Sequence, residues 1–206
     1  FQQNDVAIKG WAIESRVYAE DPLRNFMPSI GRLVRYRPPL EGVEGDITIR
    51  NDTGVYEGGE ISLYYDPMIA KLITHGPTRS VAIGAMSRAL DAFYIDGIRH
   101  NIAFLSAIMQ HPRWQEGNIS TAFIAEEFPD GFTPRVPVGD VRDTLACVAV
   151  AIDHLNNQRR RKISGQMNGS VHFSDRRVVM LGGELLHLRV TGTLGEPTAI
   201  ELLTES

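Results

Sequence analysis

One cysteine in 206 residues, Cys147, excludes a disulfide framework and a thiolate metal site. No apolar run approaches the ~18 residues a bilayer span requires, so no membrane segment is read. Basic charge is not in excess. The 21 Lys and Arg face 25 Asp and Glu, a net charge of −4, which excludes a nucleic-acid grip over the whole surface. No signal-like segment follows Phe1, and the chain is expected either to start inside a longer protein or to lack its first residues. The sequons at Asn51, Asn118 and Asn168 then read as chance matches. What remains is ordinary for a globular chain: 43% hydrophobic and 22% charged residues.

Charge divides the chain. Residues 1–133 hold 17 acids and 12 bases, and residues 134–206 hold 8 and 9. Phe132 to Gly139 lies at the change, with two prolines, a glycine and no periodicity, and reads as a linker. The expected organisation is one domain over 1–132, a linker over 133–139 and a second domain over 140–206.

The first half opens in strands. Trp11–Tyr18 alternates with period two, and Arg32–Tyr36 is a short strand stopped by Pro38-Pro39. Asp46–Arg50 sets Ile47 and Ile49 on one face and Thr48 and Arg50 on the other. Gly58-Gly59 reads as a turn into a strand at Ile61–Tyr64, completing a small antiparallel sheet. Helices follow. Thr78 caps the first, with Ala82, Ala85, Met86, Ala89, Leu90 and Phe93 at helical spacing. After a turn at Asp96-Gly97, Asn101 caps the second, which carries Leu105, Ile108 and Met109 and is stopped by Pro112. Ser120 caps the third, with Phe123, Ile124 and Phe128 directed inward. The expected class is α+β.

The second half begins with the strongest helix signal, Asp140–Lys162. Asp140 is the expected cap, Asp143 sits in its first turn, and Arg159–Lys162 complement the dipole at its end. Val141, Leu145, Val148, Ile152 and Leu155 form an apolar stripe. The unbroken apolar run Leu145–Ile152 covers every face, so burial all round is expected, with Cys147 a buried structural thiol. Strands are expected at Ser170–Phe173, Arg177–Leu181, Glu184–Val190 and Thr198–Leu203, with a hairpin turn at Gly182-Gly183. These strands are few for wrapping a helix, so the sheet is expected to continue beyond Ser206.

No motif for chemistry is complete. Gly54–Gly59 is followed by neither Gly-Lys-Ser/Thr nor a helix, and there is no Gly-x-Ser-x-Gly. The six histidines show no metal spacing, and no metal ligand is assigned. From spacing alone, Arg50 reads as a surface residue.

Five segments carry a resemblance. Trp11–Pro22, Pro28–Leu33, Tyr64–Leu72, Asp96–Asn101 and Gly117–Thr121 are similar, in order and spacing, to the C-terminal domain of biotin carboxylases. Within the biotin-dependent carboxylases, Pro28–Leu33, Arg99–Leu105 and Ile119–Phe132 most resemble the propionyl-CoA carboxylase α-subunit branch, which the methylcrotonyl-CoA branch partly shares. The resemblance implies a linking domain in the second half, with one long helix inside an antiparallel β-barrel. It implies an ATP-grasp core before Phe1, a biotin-attachment segment after Ser206, and no activity in the isolated chain. The cofactors implied for the whole enzyme are biotin, ATP and Mg or Mn. The partners are a carboxyltransferase β subunit holding the acyl-CoA and the biotin carrier domain of the same subunit, with neither nucleic acid nor membrane. The compartment implied is the bacterial cytoplasm or the mitochondrial matrix. Counting back from Tyr64-Tyr65-Asp66, Arg50 falls where the family is held to place an arginine that meets bicarbonate and the biotin enolate. A guanidinium suits that task, because it offers a planar fork and stays charged. Thr121 falls near the adenine pocket. Asp66 and Lys71 match a family motif without an assigned step. The other reading is a non-catalytic lid-and-linker module that binds protein surfaces.

Overall fold

The computed structural model describes residues 2–62, 64–164, 172–192 and 199–203. Leu63, Asn168, Ser170, Val171 and Thr198, which figure in the expectations above, lie outside the described residues. The chain forms two compact units, Phe1–Pro134 and Arg135–Ser206.

The first unit runs β1 (Trp11–Tyr18), β2 (Glu20–Asp21), β3 (Met27–Pro28), β4 (Gly31–Arg32), β5 (Arg35–Arg37), β6 (Gly42–Glu44), β7 (Ile47–Thr53), β8 (Glu60–Ile61) and β9 (Met68–Gly76). Then come α1 (Arg79–Ala92), β10 (Tyr94–Asp96), α2 (Ile102–Met109), α3 (Pro112–Glu116) and α4 (Phe123–Glu127). The main sheet has the order β1-β9-β7-β6 and is antiparallel throughout. Its inner face supplies Val17, Ala70 and Leu72 to the core, where they meet Ile83, Met86, Ala89 and Leu90 of α1. The Thr78 hydroxyl accepts from the Val81 amide and starts α1 as expected.

Central strand β9 escaped the reading of residues because its alternation is broken at the adjacent buried Ile69 and Ala70 and reversed at Ile73 and Thr74. Thr74 faces inward at 0% exposure and donates its hydroxyl to the Ala82 carbonyl at 2.9 Å. Ile73 faces outward, opposite Glu14 and Arg50. The single strand expected at Arg32–Tyr36 is two. β4 pairs with β8 and β5 with β10, and the backbone changes partner at Leu33 and Val34. Among the described residues, the strand expected at Ile61–Tyr64 ends at Ile61.

The helix ends also differ. Asn101 sits at the N-cap of α2 without capping it. Its side chain instead accepts from the Tyr18 amide and donates to the Arg16 carbonyl, tying α2 to β1. Pro112 has two effects: it holds His111 in extended backbone, so α2 ends at Met109 as expected, and it opens α3, where its missing N–H costs no bond. Ser120 lies before α4, whose N-cap is Ala122, and its hydroxyl accepts from the Ala122 amide. Phe123 is buried, but Ile124 is turned out.

The second unit holds α5 (Gly139–Arg161) and a three-stranded antiparallel sheet, β11 (Arg176–Leu181), β12 (Glu184–Thr191) and β13 (Ala199–Leu202). Leu181 pairs with Glu184 across Gly182-Gly183, both at positive φ, which is the two-residue hairpin the glycines announce. Helix α5 begins one residue early, at Gly139. Val138 is the N-cap, so Asp140 lies inside the first turn and does not cap it. Asp143 lies beyond that turn and pairs with Arg142, which also reaches Glu184 at 3.0 Å.

Burial all round α5 is not observed. Ala146 and Val150 are buried against Leu186, Leu188 and Val190, while the stripe from Val141 to Leu155 is 42–62% exposed. One sheet covers one face of a helix, and the apolar run supplied more apolar surface than that face takes. Cys147 is accordingly half-buried. Ala146→Asp is expected to cost about 3 kcal/mol or more, and Ala149→Asp, on the open face, within about 0.5 kcal/mol. Thermal melting of the two variants checks this, and equal losses would show the helix enclosed on both sides.

Candidate functional site

The outer face of the main sheet is polar because β1 and β7 alternate. Across the ladders, Arg50, Ile73 and Glu14 form one row and Asp52, Lys71 and Arg16 the next. Each strand carries its own ion pair. Arg16 Nε meets Glu14 Oε1 at 3.1 Å. Arg50 meets Asp52 twice, Nε to Oδ1 at 2.9 Å and a terminal nitrogen to Oδ2 at 3.0 Å. Glu14, followed by the Tyr18 hydroxyl, holds the Arg16 guanidinium above its ordinary pKa, so its charge is fixed.

A cavity of about 530 Å³ opens beside β1. Glu14, Arg16 and Glu20 line one side, Phe104 and Ile108 of α2 form an apolar floor, and the segment 119–121 closes the rim. Burial, and then the nearby Asp66 carboxylate, raise the Glu20 carboxyl above its usual range. The site therefore combines a fixed cation, two carboxyls and an apolar platform, which suits a ligand with a flat apolar part and an anionic part.

The two singled-out residues part here. Thr121 is on the rim. Arg50 is not among the residues lining the cavity. It lies on the same sheet face, two strands from β1, about 10 Å across at the usual inter-strand spacing. Its fork is turned onto Asp52. Arg16, Glu14 and Glu20 were not singled out as site residues. Their signal was available in the period-two alternation of β1, which sets Glu14 and Arg16 opposite the buried Ser15 and Val17. Asp66 accepts from the Met68 amide at 3.0 Å and so turns the chain into β9. Lys71 is half-buried between Asp52 and Arg16. In the second unit, the Arg161 guanidinium lies 5.6 Å over the Phe173 ring. Among the described residues no three His, Cys, Asp or Glu side chains gather to hold a metal ion. Among the described residues no helix is long and apolar enough to cross a membrane.

The chain is similar in sequence and fold to known proteins. The propionyl-CoA carboxylase alpha chain of Ruegeria pomeroyi is 53% identical over 81% of this chain and 27% of its own length. The mitochondrial propionyl-CoA carboxylase alpha chain of Homo sapiens is 44% identical over 73% of this chain and 20% of its own. The chain thus spans about a quarter or less of these relatives. The biotin carboxylase domain of Hydrogenobacter thermophilus 2-oxoglutarate carboxylase, solved with MgADP, ADP and bicarbonate, matches 61% of this chain and 27% of its own, with a TM-score of 0.57 and 38% identity. Pyruvate carboxylase from Rhizobium etli matches 78% of this chain and 15% of its own, with a TM-score of 0.61 and 35% identity. The family model for the biotin carboxylase C-terminal domain matches residues 14–126, which contain most of β1, the cavity and its rim. By that match, which extends over more than half of its length, the chain belongs to the biotin carboxylase C-terminal domain family.

Proposed function

We propose that this chain forms the C-terminal flank of a biotin carboxylase site in an acyl-CoA carboxylase α subunit of the propionyl-CoA type. The observation that carries the reading is the cavity within the family match, which sets an arginine and two carboxyls opposite the Thr121 rim. In the whole enzyme, ATP and bicarbonate with Mg or Mn would supply the carboxyl group for biotin, for transfer to an acyl-CoA on the carboxyltransferase β subunit. Residues of this chain would take the nucleotide along the apolar floor, with Thr121 on the adenine side. They would hold an anion on the arginine side. A solved relative determined with MgADP and bicarbonate supports a nucleotide and an anion as the ligands of such a site.

Two arginines compete for the anion. The resemblance favours Arg50, and the geometry favours Arg16. Arg16 lines the cavity, and its ion pair uses Nε alone. Arg50 has two nitrogens committed to Asp52. A guanidinium must present a fork to grip a carboxylate-like anion.

For the remainder, residues 1–132 would complete the biotin carboxylase domain, 133–139 would be the linker, and 140–206 would open the linking domain. The exposed stripe on α5 is the face that further barrel strands would cover. The bacterial and mitochondrial relatives point to the cytoplasm or the matrix.

Thr121→Trp in the full-length enzyme tests the nucleotide side. It should fill the rim and raise the KM for ATP about tenfold, a loss of about 1.4 kcal/mol of binding, with the KM for biotin little changed. An unchanged KM for ATP would move the nucleotide elsewhere.

A further inference from the structure

The rim of the cavity is a short loop with little regular structure of its own. Residues 118–122 lie between α3 and α4, both of five residues. Helices of that length do not hold a loop in place by themselves. Ile119, Ser120 and Thr121 nevertheless line the cavity, so something outside the loop must fix them.

Arg113 on α3 does so from both ends. Its carbonyl accepts from the Asn118 amide at 3.0 Å, and its Nε donates back to the Asn118 carbonyl at 3.2 Å. Both polar groups of the residue just before the rim are thereby held by one side chain and its own backbone. The two terminal nitrogens reach past the rim to α4. One donates to Glu126 Oε2 at 2.9 Å and the other to Glu127 Oε1. The guanidinium plane lies 5.6 Å over the Phe123 ring, the first residue of α4. The second Glu127 oxygen is met by His111 Nε2 at 3.1 Å, so the residue before α3 is bound into the same cluster. Every nitrogen of Arg113 is used, and each use lands on a residue flanking 119–122.

Isolated surface ion pairs contribute little. This one differs in geometry. Arg113, Glu127 and His111 are only 29%, 24% and 22% exposed, and the cluster is shared among four side chains. Arg113 in turn holds the Glu127 carboxyl below its usual range, so the anion persists at neutral pH.

We infer that Arg113, acting with Glu126 and Glu127, is a positioning residue that fixes the Ile119–Thr121 rim and thereby sets nucleotide affinity. The inference rests on the nucleotide reading of the cavity given above. Arg113 touches no ligand in this arrangement. Its effect is on where Thr121 and Ile119 stand, and so on binding and not on the chemical step.

The test uses the full-length enzyme. In Arg113→Ala and Glu127→Ala, amides of the 118–123 segment should exchange hydrogen faster, because their bonds to Arg113 and Ser120 lose their support. The KM for ATP should rise about fivefold while kcat stays within about twofold, the split expected for lost binding without lost chemistry. Glu127→Gln keeps an acceptor oxygen for Arg113 and should hold the KM near the parent value. A purely structural role would move melting temperature in all three variants and would not give this rescue. If Arg113→Ala fails to fold, the Glu127→Ala and Glu127→Gln pair carries the comparison alone. Unchanged exchange over 118–123 overturns the inference. So does faster exchange with an unchanged KM for ATP, when Thr121→Trp does raise that KM. If Thr121→Trp leaves the KM unmoved as well, the nucleotide reading has failed and this inference falls with it.

Discussion

Arg16→Ala, in the full-length enzyme, is expected to lower the maximal rate of biotin carboxylation about 100-fold while leaving the KM for ATP nearly unchanged. The argument begins with charge. Carboxyl transfer to biotin concentrates negative charge on small oxygens, and a preorganised guanidinium in a partly enclosed site stabilises it without having to reorganise. Arg16 stands in the cavity wall, and its pairing to Glu14 through Nε keeps its end directed along the strand face. Its removal opens no core cavity, because its side chain is 58% exposed. Folding should therefore survive. Arg16→Lys should rescue poorly, since an ammonium keeps the charge and loses the planar fork. Arg50→Ala supplies the contrast. Its fork is held by Asp52, and its loss should slow the reaction less than about tenfold. Steady-state carboxylation of free biotin separates the two. A 100-fold loss for Arg50→Ala beside near-parent rates for Arg16→Ala would give the anion contact to Arg50.

The second large effect is on stability. Gly97→Ala should unfold the first unit or bring it to the edge of unfolding. Gly97 follows β10 at a φ of +101°, where a side chain is strained. A Cβ there would stand 2.3 Å from the Arg32 carbonyl oxygen and 2.8 Å from the Val34 amide nitrogen. Both are backbone atoms at the point where the chain passes from β4 to β5. That passage is itself fixed by the Val34 amide donating to the Asp96 carbonyl at 2.8 Å. Strain and overpacking together come to about 2–6 kcal/mol, against a typical total stability of about 5–15 kcal/mol. Chemical denaturation of the parent and Gly97→Ala enzymes measures it. A shift of less than about 1 kcal/mol would mean that β4 and β5 can part without loss.

The turn at Asp96-Gly97 was legible because glycine at a positive φ leaves a mark in sequence. So were the hairpin at Gly182-Gly183 and the start of α1 at Thr78, where local chemistry decides the outcome. Strand β9 was not. Its core position is filled by Thr74, which is acceptable there only because the Ala82 carbonyl accepts a hydrogen bond from its hydroxyl, and no pattern within β9 announces a partner on α1. Asn101 was placed at a helix start for the right reason locally, but its side chain goes to β1, 83 residues earlier. The stripe of α5 illustrates the opposite error. Periodicity identifies apolar faces, and it does not count how many neighbours exist to cover them. The site followed the same division. Thr121, on the cavity rim, lies in a recognisable segment, whereas which of two outward arginines lines the cavity depended on where α2 and the rim stand.

Strand β9 pairs with β1 on one side and β7 on the other, so it acts as a ruler between Arg16 and Arg50. The two ladders fix that separation, and no hinge lies between the strands. A rigid-body movement of the sheet that carries the backbone of one arginine must carry that of the other with it. The ruler has one irregularity along its length, at Ile69, which β1 passes over between the Tyr18–Met68 and Val17–Ala70 pairs. A single-residue insertion in β9 would reverse every side chain beyond it, sending Lys71 toward Leu90 or Leu72 toward solvent. Length changes in this part of the chain are therefore absorbed in the turns, such as residues 54–59 between β7 and β8, or by a further bulge like the one at Ile69.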